Sequence, residues 1–265
     1  MTADVYTFGD GEAAANRLDL LAAVYEPATR RLLARWAPAT VRQAVDLGSG
    51  PGHTTRLLHD LTGADRTTGV ERSPAYLELA RSVPVEGVEF VDHDVTRGPL
   101  PVPPADVVFA RFLLTHLADP GNAVRVWARA LAPGGVLVLQ ETARLVSRDP
   151  ALGRYYELVA ELQQLHGQAL DVGSRLGYHA AAAIEDDGLV LEHHGVRPVT
   201  QRPAEMAALH LPNLRTWRTD PLAEAAFDAD ELDALDDALL AIARGAPCEP
   251  VEQDLGELVL AAPAG

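Results

Sequence analysis

Five short apolar runs recur between residues 41 and 142, and helical patterns or turn signals separate them. The runs cover residues 41–48, 67–71, 88–94, 105–110 and 135–141. The stretches at 53–61, 74–81 and 120–131 have helical patterns, whereas the proline-rich stretch 97–104 cannot form a regular helix. This alternation predicts a doubly wound α/β fold, because parallel neighbours in a sheet need crossover connections.

Further helical and strand patterns flank this alternation. Before it, residues 18–25 and 28–36 predict helical segments on either side of Pro27; after it, helices are predicted at 150–166, 173–184, 203–218 and 221–243, and strands at 189–196 and 257–262. We therefore predict a seven-stranded, mostly parallel sheet in a core spanning 41–265. An N-terminal helical cap over 1–40 and helical insertions at about 145–188 and 203–245 are predicted to enclose a substrate as a lid.

The composition excludes several classes of protein. All 22 basic residues are arginine, which excludes a Schiff-base lysine and a phosphate-binding P-loop. The single cysteine, Cys248, excludes a disulfide scaffold and a cysteine-based zinc site. A net charge of −16 disfavours nucleic acid as a partner. With no signal peptide and no apolar run long enough for a membrane span, we predict a cytoplasmic protein, for which a homodimer is one compatible assembly.

A glycine-rich turn follows the first predicted strand, in the run VDLGSGPGHTT from Val45 to Thr55. Such a turn lets backbone N–H groups approach a ligand closely. A dinucleotide-binding turn has the pattern G-x-G-x-x-G, but the third glycine here, Gly52, comes one residue early. Asp46, just inside the strand, would also repel a pyrophosphate. The turn therefore favours a ligand with a cationic or hydroxyl-bearing part, and it disfavours a dehydrogenase.

Acidic residues stand at the ends of the next two predicted strands. Glu71 ends the second strand, where an acid in this kind of fold accepts hydrogen bonds from a ribose diol. Asp94 follows the third strand, where its side chain could bind an adenine amino group. Glu71 and Asp94 together predict recognition of adenosine without a phosphate site. Asp46 or Glu71 alone could be a surface or helix-capping acid.

The run VDLGSGPG resembles motif I of the class I S-adenosylmethionine-dependent methyltransferases. Four further features agree with that family in order and spacing: Glu71, the triplet His93-Asp94-Val95, the run ADVVFARFLLTHLADP (105–120) and the run LAPGGVLVLQET (131–142). The resemblance covers residues 41–142. The remainder is more loosely similar to small-molecule methyltransferases of secondary metabolism. The resemblance implies a Rossmann-like methyltransferase fold, with S-adenosylmethionine as cofactor and S-adenosylhomocysteine as its product.

The resemblance also implies a set of cofactor-binding residues: Tyr6, in a segment that would fold over the cofactor, and Asp46, Gly48, Ser49, Gly50, Gly52, Glu71, Arg72, Asp94, Val95, Arg111 and Phe112. Asp46 would lie near the methionine ammonium group and reach it through water, and Glu71 would bind the ribose hydroxyls. Asp94 would bind the adenine amino group, and the Val95 N–H would bind an adenine ring nitrogen. Arg111 would line the methionine end of the cofactor.

Methyl transfer is an in-line displacement that needs aligned reactants and the exclusion of water. A base is needed only where the nucleophile is protonated at the working pH. His116, just beyond the fourth strand, is the first candidate for a general base or for positioning the acceptor, although it could instead cap the turn with Asp119. Glu141, at the end of the fifth strand, is the second, although it could be a solvated edge acid. No acidic spacing indicates a metal site, so we predict metal-independent transfer.

Other polar and aromatic side chains have plainer interpretations. Tyr155 and Tyr156 are expected to pack in the core, although both lie in the predicted lid. His166, His179 and His210 of the insertions are each expected to be solvated helix residues, although one of them could touch the substrate. His53 is expected to form a wall of the cofactor pocket, and His93 is expected to be structural.

The sequence thus predicts a methyltransferase that acts on a small organic molecule, with oxygen favoured as the acceptor atom over nitrogen and carbon. Two alternatives remain open. A protein of this fold could bind S-adenosylmethionine and catalyse a reaction other than methylation. It could also be a binding or regulatory protein without catalysis. Formation of S-adenosylhomocysteine with any acceptor would separate the main prediction from both.

Overall fold

A computed structural model describes residues 12–168 and 170–265, and it describes side chains from Arg17 onward. The strands are β1 (Gln43–Leu47), β2 (Arg66–Glu71), β3 (Val88–Asp92), β4 (Ala105–Arg111), β5 (Leu131–Val146), β6 (Val190–Gln201) and β7 (Val251–Ala261). The helices are α1 (Glu12–Trp36), α2 (His53–Thr62), α3 (Pro74–Ser82), α4 (Pro120–Ala128), α5 (Pro150–Leu165), α6 (Leu176–Asp187), α7 (Pro203–Trp217), α8 (Pro221–Ala226) and α9 (Ala229–Ala243). Tyr6 lies outside the described residues, so its predicted cofactor contact stays a prediction.

The strands of the described residues form one seven-stranded sheet in the order β3-β2-β1-β4-β5-β7-β6. The first five strands in this order, β3, β2, β1, β4 and β5, pair in parallel, and β7 runs antiparallel between β5 and β6. The order of the chain reverses at β1 and β4, which is the point where open α/β sheets bind ligands. The predicted fold class, a mostly parallel seven-stranded sheet with flanking helices, is confirmed.

Alternate residues of the central strands pack on opposite faces of the sheet. Val107 and Phe109 of β4 join a cluster with side chains of α1 and α2. Val108 and Ala110 join a second cluster that includes Trp127 of α4 and residues of α6. Because side chains of a strand alternate between faces, both faces of β4 must be apolar when helices cover both. This burial explains the unbroken apolar run ADVVFA.

A third apolar cluster joins α5, α7, α8 and α9 with the middle of α1. Its largest members, Tyr155 of α5 and Trp217 of α7, are almost completely buried. The cluster also includes Val251 and Leu255 at the beginning of β7. It therefore fixes the helices that follow β5 and β6 against the sheet and against α1.

Helix α1 runs without interruption through Pro27, although two segments were predicted there. Proline removes one backbone N–H and leaves the carbonyl four residues earlier without its helical partner. That carbonyl belongs to Ala23, which is exposed, so water can reach it. Buried residues on both sides of Pro27, Tyr25 and Leu32 among them, hold the helix to the rest of the molecule.

The single helix predicted at 221–243 is two helices, α8 and α9. Phe227 between them is extended, and the Asp228 side chain accepts the Glu231 N–H as the N-cap of α9. The strands after β4 are also longer than predicted, because β5, β6 and β7 pair antiparallel well beyond their apolar centres. No helix in the described part of the chain has the length and apolarity that a bilayer span requires.

Candidate cofactor and acceptor site

The glycine turn joins β1 to α2 in a backbone conformation that only glycine adopts easily. Gly48, Gly50 and Gly52 all have positive φ angles, of 64°, 52° and 86°. A Cβ atom on Gly52 would lie 2.5 Å from Cζ of Phe90, so a side chain there would also clash. The Gly48 and Ser49 N–H groups donate to the Val70 carbonyl at 2.9 and 3.1 Å. The turn is therefore tied to the end of β2.

Glu71 braces this turn with its carboxylate. Its Oε2 accepts the Gly50 N–H at 2.9 Å, and its Oε1 accepts the Arg72 and Ser73 N–H groups at 2.8 Å each. The Ser73 hydroxyl in turn caps α3, as predicted, and Pro74 begins that helix. The carboxylate is thus fixed at the end of β2, beside the glycine turn.

Asp94 occupies the corresponding place after β3. Its Oδ1 accepts the Thr96 N–H at 3.0 Å and the Thr96 hydroxyl at 2.7 Å, and Arg97 Nε lies 3.3 Å from its Oδ2. Burial raises the pKa of Asp94, but these hydrogen bonds and the nearby arginines outweigh it and hold the pKa below its usual value. Asp94 is therefore ionised at neutral pH and can accept further hydrogen bonds.

Asp46 lies behind the turn, within the sheet. Its side chain is only 1% exposed, and its Oδ2 accepts the Thr55 hydroxyl at 2.7 Å. Burial raises the pKa of Asp46 to about 6, against the hydrogen bonds of the threonines and the charge of Arg111. This placement leaves Asp46 behind the turn, so its predicted place near the methionine ammonium group would be an indirect one, through Thr55, Arg111 or water.

Arg111 ends β4, and Phe112 follows it directly. Arg111 Nη1 donates to the Thr29 hydroxyl at 2.9 Å, and that hydroxyl donates to Gln140 Oε1 at 2.8 Å. Burial lowers the pKa of Arg111 to about 10, which still leaves it charged. Phe112 is the one described non-glycine residue with a positive φ, 53°, and its ring packs edge-on against Tyr25 at 4.7 Å. Such strain is typical of functional sites.

Glu141 holds the loop that follows β4. Its Oε1 accepts the Leu113 and Leu114 N–H groups at 2.7 Å each, and the Thr115 hydroxyl lies 3.4 Å from Oε2. Burial raises the pKa of Glu141 to about 7 despite these hydrogen bonds. The same loop carries His116, and burial followed by the charge of Arg17 lowers the pKa of that histidine to about 4. His116 is therefore uncharged at neutral pH.

A cavity of about 720 Å³ extends from these groups to side chains of α1, α5 and α7, and the part that these helices line is called the second chamber. The sequence-predicted residues that line it are Gly48, Ser49, Gly50, Glu71, Arg72, Asp94, Val95, Arg111, Phe112, His116 and Glu141. Asp46 and Gly52 are not among the described residues that line it. His53 lines the cavity, as expected for a wall of the pocket. His93 also lines it, and its ring makes a structural contact with the Arg97 carbonyl.

The second chamber is formed by α1, α5 and α7, and the sequence did not assign its polar residues to the site. Tyr25 of α1, Tyr155 and Tyr156 of α5, and His210 and Asn213 of α7 line it. His210 was expected to be a solvated residue, but it is 8% exposed and stacks on Tyr155 with the ring centroids 4.5 Å apart. The spacing of three residues between His210 and Asn213, which places both on one helical face, was the available signal.

Within the described residues, no group of three or more histidine, cysteine or acidic side chains is arranged to hold a metal ion. The polar groups of the cavity are instead carboxylates at strand ends, backbone N–H groups of the turn, and buried arginine, histidine and tyrosine side chains. These groups suit an organic ligand with hydroxyl and amino functions.

Comparison with known proteins gives the family. Residues 45–139 match a family model described as a methyltransferase domain. A trans-aconitate 2-methyltransferase of Azoarcus sp. (strain BH72) is 30% identical over 205 residues, which cover 67% of this chain and 78% of that protein. A protein of the same name from Rhizobium leguminosarum bv. trifolii (strain WSM2304) is 38% identical over 111 residues, which cover 42% of this chain and 43% of that protein. The match thus spans less than half of that second relative's length.

A solved structure from Bacillus halodurans C-125, described as a candidate methyltransferase, has the same fold with a TM-score of 0.57. The identity is 14%, and the alignment covers 89% of this chain and 98% of that one. That likeness concerns the fold alone. The Azoarcus relative and the family model go further: this chain belongs to the class I S-adenosylmethionine-dependent methyltransferases, and S-adenosylmethionine is its cofactor.

Proposed function

We propose that this protein catalyses methyl transfer from S-adenosylmethionine to a carboxylate oxygen of a small organic acid. The observation that carries the proposal is the state of the two candidate bases. The pKa of His116, about 4, is too low for the removal of a proton from an alcohol or a phenol. Glu141 has a pKa of about 7, but its carboxylate is engaged by the Leu113 and Leu114 N–H groups and lies beside the Thr115 hydroxyl. An acceptor that is already ionised at neutral pH needs no such base.

The turn side of the cavity fits the cofactor by the chemistry of its donors and acceptors. Ionised Asp94 and the carboxylate of Glu71 can accept hydrogen bonds from amino and hydroxyl groups, and the turn exposes backbone close to a ligand because it carries no Cβ atoms at its glycines. We propose that Glu71 holds the ribose hydroxyls and Asp94 the adenine amino group, with the Val95 N–H beside the ring. When bound, S-adenosylmethionine supplies an electrophilic methyl carbon on a sulfonium.

His116 and Glu141 have roles other than proton removal in this proposal. His116 has a pKa of about 4, so it is a weak base, but its uncharged ring can donate one N–H to an acceptor carboxylate. Glu141 Oε1 already accepts two backbone N–H groups. Glu141 is therefore a positioning residue, which fixes the loop 113–115 and through it His116.

The chamber formed by α1, α5 and α7 encloses the acceptor. Aromatic side chains of all three elements meet there, with Tyr25 against Phe112 and Tyr155 against His210. Aromatic walls of this kind restrict the entry of water, which would otherwise solvate the attacking oxygen. This agrees with the predicted lid at 145–188 and 203–245, which remains part of the proposal. The shared name of the relatives, trans-aconitate 2-methyltransferase, also points to an acid as the acceptor.

The test is an acceptor panel with trans-aconitate and with alcohols and phenols of similar size. We expect S-adenosylhomocysteine to form with the acid, and we expect the product to be an ester that alkali hydrolyses. The rate with the acid should exceed that with each alcohol at least about 100-fold, since the site offers an alcohol no effective base. Turnover with alcohols or amines alone would contradict the proposal. Binding of S-adenosylmethionine without turnover of any acceptor would favour the two alternatives, a different reaction or a binding protein.

His116 is expected to position the acceptor. His116→Ala should lower kcat/KM for the acid about 10- to 100-fold, as expected for the loss of one hydrogen bond to a charged group. Its affinity for S-adenosylmethionine should stay within about twofold of the wild type. His179→Ala is the matched control, because His179 is half-buried and is not among the described residues that line the cavity. Turnover equal to the wild type across pH would remove His116 from the mechanism.

A further inference from the structure

Three side chains of the second chamber carry buried polar atoms with no partner among the described residues. They are both ring nitrogens of His210, the amide oxygen of Asn213 and the hydroxyl of Tyr156. His210 and Asn213 are 8% and 5% exposed, and all three side chains line the cavity. A buried polar group without a partner is costly, and native proteins contain few of them. Their concentration on one wall therefore indicates a ligand.

The geometry of α5 and α7 brings these atoms together. His210 and Asn213 lie three residues apart on one face of α7. The His210 ring is stacked on Tyr155 and meets the Tyr156 ring edge-on, with the centroids 5.2 Å apart. The rings are thus held in place while their polar atoms remain available.

The chemistry of the three groups defines what they can bind. Burial, reinforced by the charge of Arg17, lowers the pKa of His210 to about 3, so the ring is uncharged and offers one donor and one acceptor. Tyr156 offers an O–H donor, and the Asn213 oxygen is an acceptor. Such a set matches an oxygen function, such as a hydroxyl or a carboxyl group, and it does not match a hydrocarbon or an aromatic ring.

We propose that Tyr156, His210 and Asn213 form a second recognition subsite, which hydrogen-bonds an oxygen function of the acceptor other than the carboxylate that is methylated. The substrate class is then a polyfunctional organic acid and not a simple fatty or aromatic acid. The proposal rests on the proposed function for the identity of the methylated group, but the subsite itself is a property of α5 and α7.

The test compares three acids of equal length: succinate, γ-hydroxybutyrate and butyrate, which end in a second carboxylate, a hydroxyl and a methyl group. Their dissociation constants are measured by calorimetry on the complex with S-adenosylhomocysteine, and their kcat/KM values are measured with S-adenosylmethionine. The wild type should prefer succinate or γ-hydroxybutyrate over butyrate at least about 10-fold. The preferred acid identifies the oxygen function. No preference over butyrate would overturn the proposal.

His210→Phe keeps the ring that stacks on Tyr155 and removes both nitrogens, and Tyr156→Phe removes only the hydroxyl. Each variant should reduce the preference about 3- to 10-fold, as expected for one uncharged hydrogen bond. Tyr178→Phe is the matched control, because Tyr178 is exposed on α6. It should leave the preference unchanged.

A structural role for His210 predicts a different result. Without ligand, the melting temperature of His210→Phe should equal that of the wild type or exceed it by about 2 °C or more, since the replacement removes unpartnered buried nitrogens. A lower melting temperature with an unchanged preference would make His210 a packing residue and would overturn the proposal. If no acid is methylated, the proposed function fails, but the ratio of dissociation constants still decides whether the subsite exists.

Discussion

Replacing Glu71 with alanine should weaken the binding of S-adenosylmethionine about 10- to 150-fold, which corresponds to about 1.5–3 kcal/mol. The variant removes the carboxylate proposed to hold the ribose hydroxyls. It also removes the acceptor of the Gly50, Arg72 and Ser73 N–H groups, which ties the glycine turn to the start of α3. Both losses act on the cofactor and neither acts directly on the acceptor. Calorimetric titration of the purified variant measures the effect.

Glu78→Ala is the control for this prediction. Glu78 is an exposed residue of α3, so its replacement removes the same charge from the same region without touching the turn. Its dissociation constant should stay within about twofold of the wild-type value. An unchanged affinity in Glu71→Ala would show that the carboxylate at the end of β2 does not contribute to the cofactor site.

Replacing Glu141 with glutamine should stabilise the protein at neutral and alkaline pH but not in acid. The folded-state pKa of Glu141 is raised from 4.5 to about 7 by burial. The stabilising contribution of its protonated form is therefore complete below about pH 4.5 and is lost as the pH rises through about 7. Glutamine keeps an oxygen that can accept the Leu113 and Leu114 N–H groups, and it does not ionise. The free energy of unfolding of Glu141→Gln, relative to that of the wild type, should rise by about 3 kcal/mol between pH 4.5 and pH 8.

Urea unfolding of both proteins at several pH values measures this difference. Asp46 also has a raised pKa, but it is present in both proteins and its contribution cancels. Glu185→Gln is the control for the exchange itself, because Glu185 is exposed on α6, away from the loop that Glu141 holds. It should not reproduce the gain of about 3 kcal/mol. Parallel pH profiles for Glu141→Gln and the wild type would mean that burial does not disfavour the charge of Glu141 in solution.

The site residues that sequence reasoning placed well are those at the ends of strands. Glu71 and Asp94 follow apolar runs directly, and parallel strands bring their carboxyl ends to one edge of the sheet. Strand order and local turn chemistry are enough to bring such residues together. Asp46 lies on the predicted strand, and its hydrogen bond with the Thr55 hydroxyl holds it behind the turn, a contact that the strand pattern alone does not show.

The second chamber, lined by α1, α5 and α7, could not be predicted in the same way. His210 and Asn213 lie on α7, and their positions over the cavity depend on how that helix packs on α1 and α5. Sequence patterns record that one face of a helix is buried, but they do not record which element buries it. The break at Phe227 was not predicted, because the apolar pattern continues across it. The local signal for the break is Asp228, which is the N-cap of α9 and accepts the Glu231 N–H. At Pro27 a break was predicted but α1 continues, since tertiary contacts outweigh the one lost hydrogen bond.

The glycine turn, Glu71 at the end of β2 and Asp94 after β3 are expected to bind S-adenosylmethionine. Isothermal titration of the protein with S-adenosylmethionine and, separately, with NADH measures this binding. The turn lacks the spacing for a pyrophosphate, and the buried Asp46 lies behind it, so we predict micromolar binding of S-adenosylmethionine and none of NADH. Binding of NADH, or no binding of S-adenosylmethionine, would contradict the account of the site.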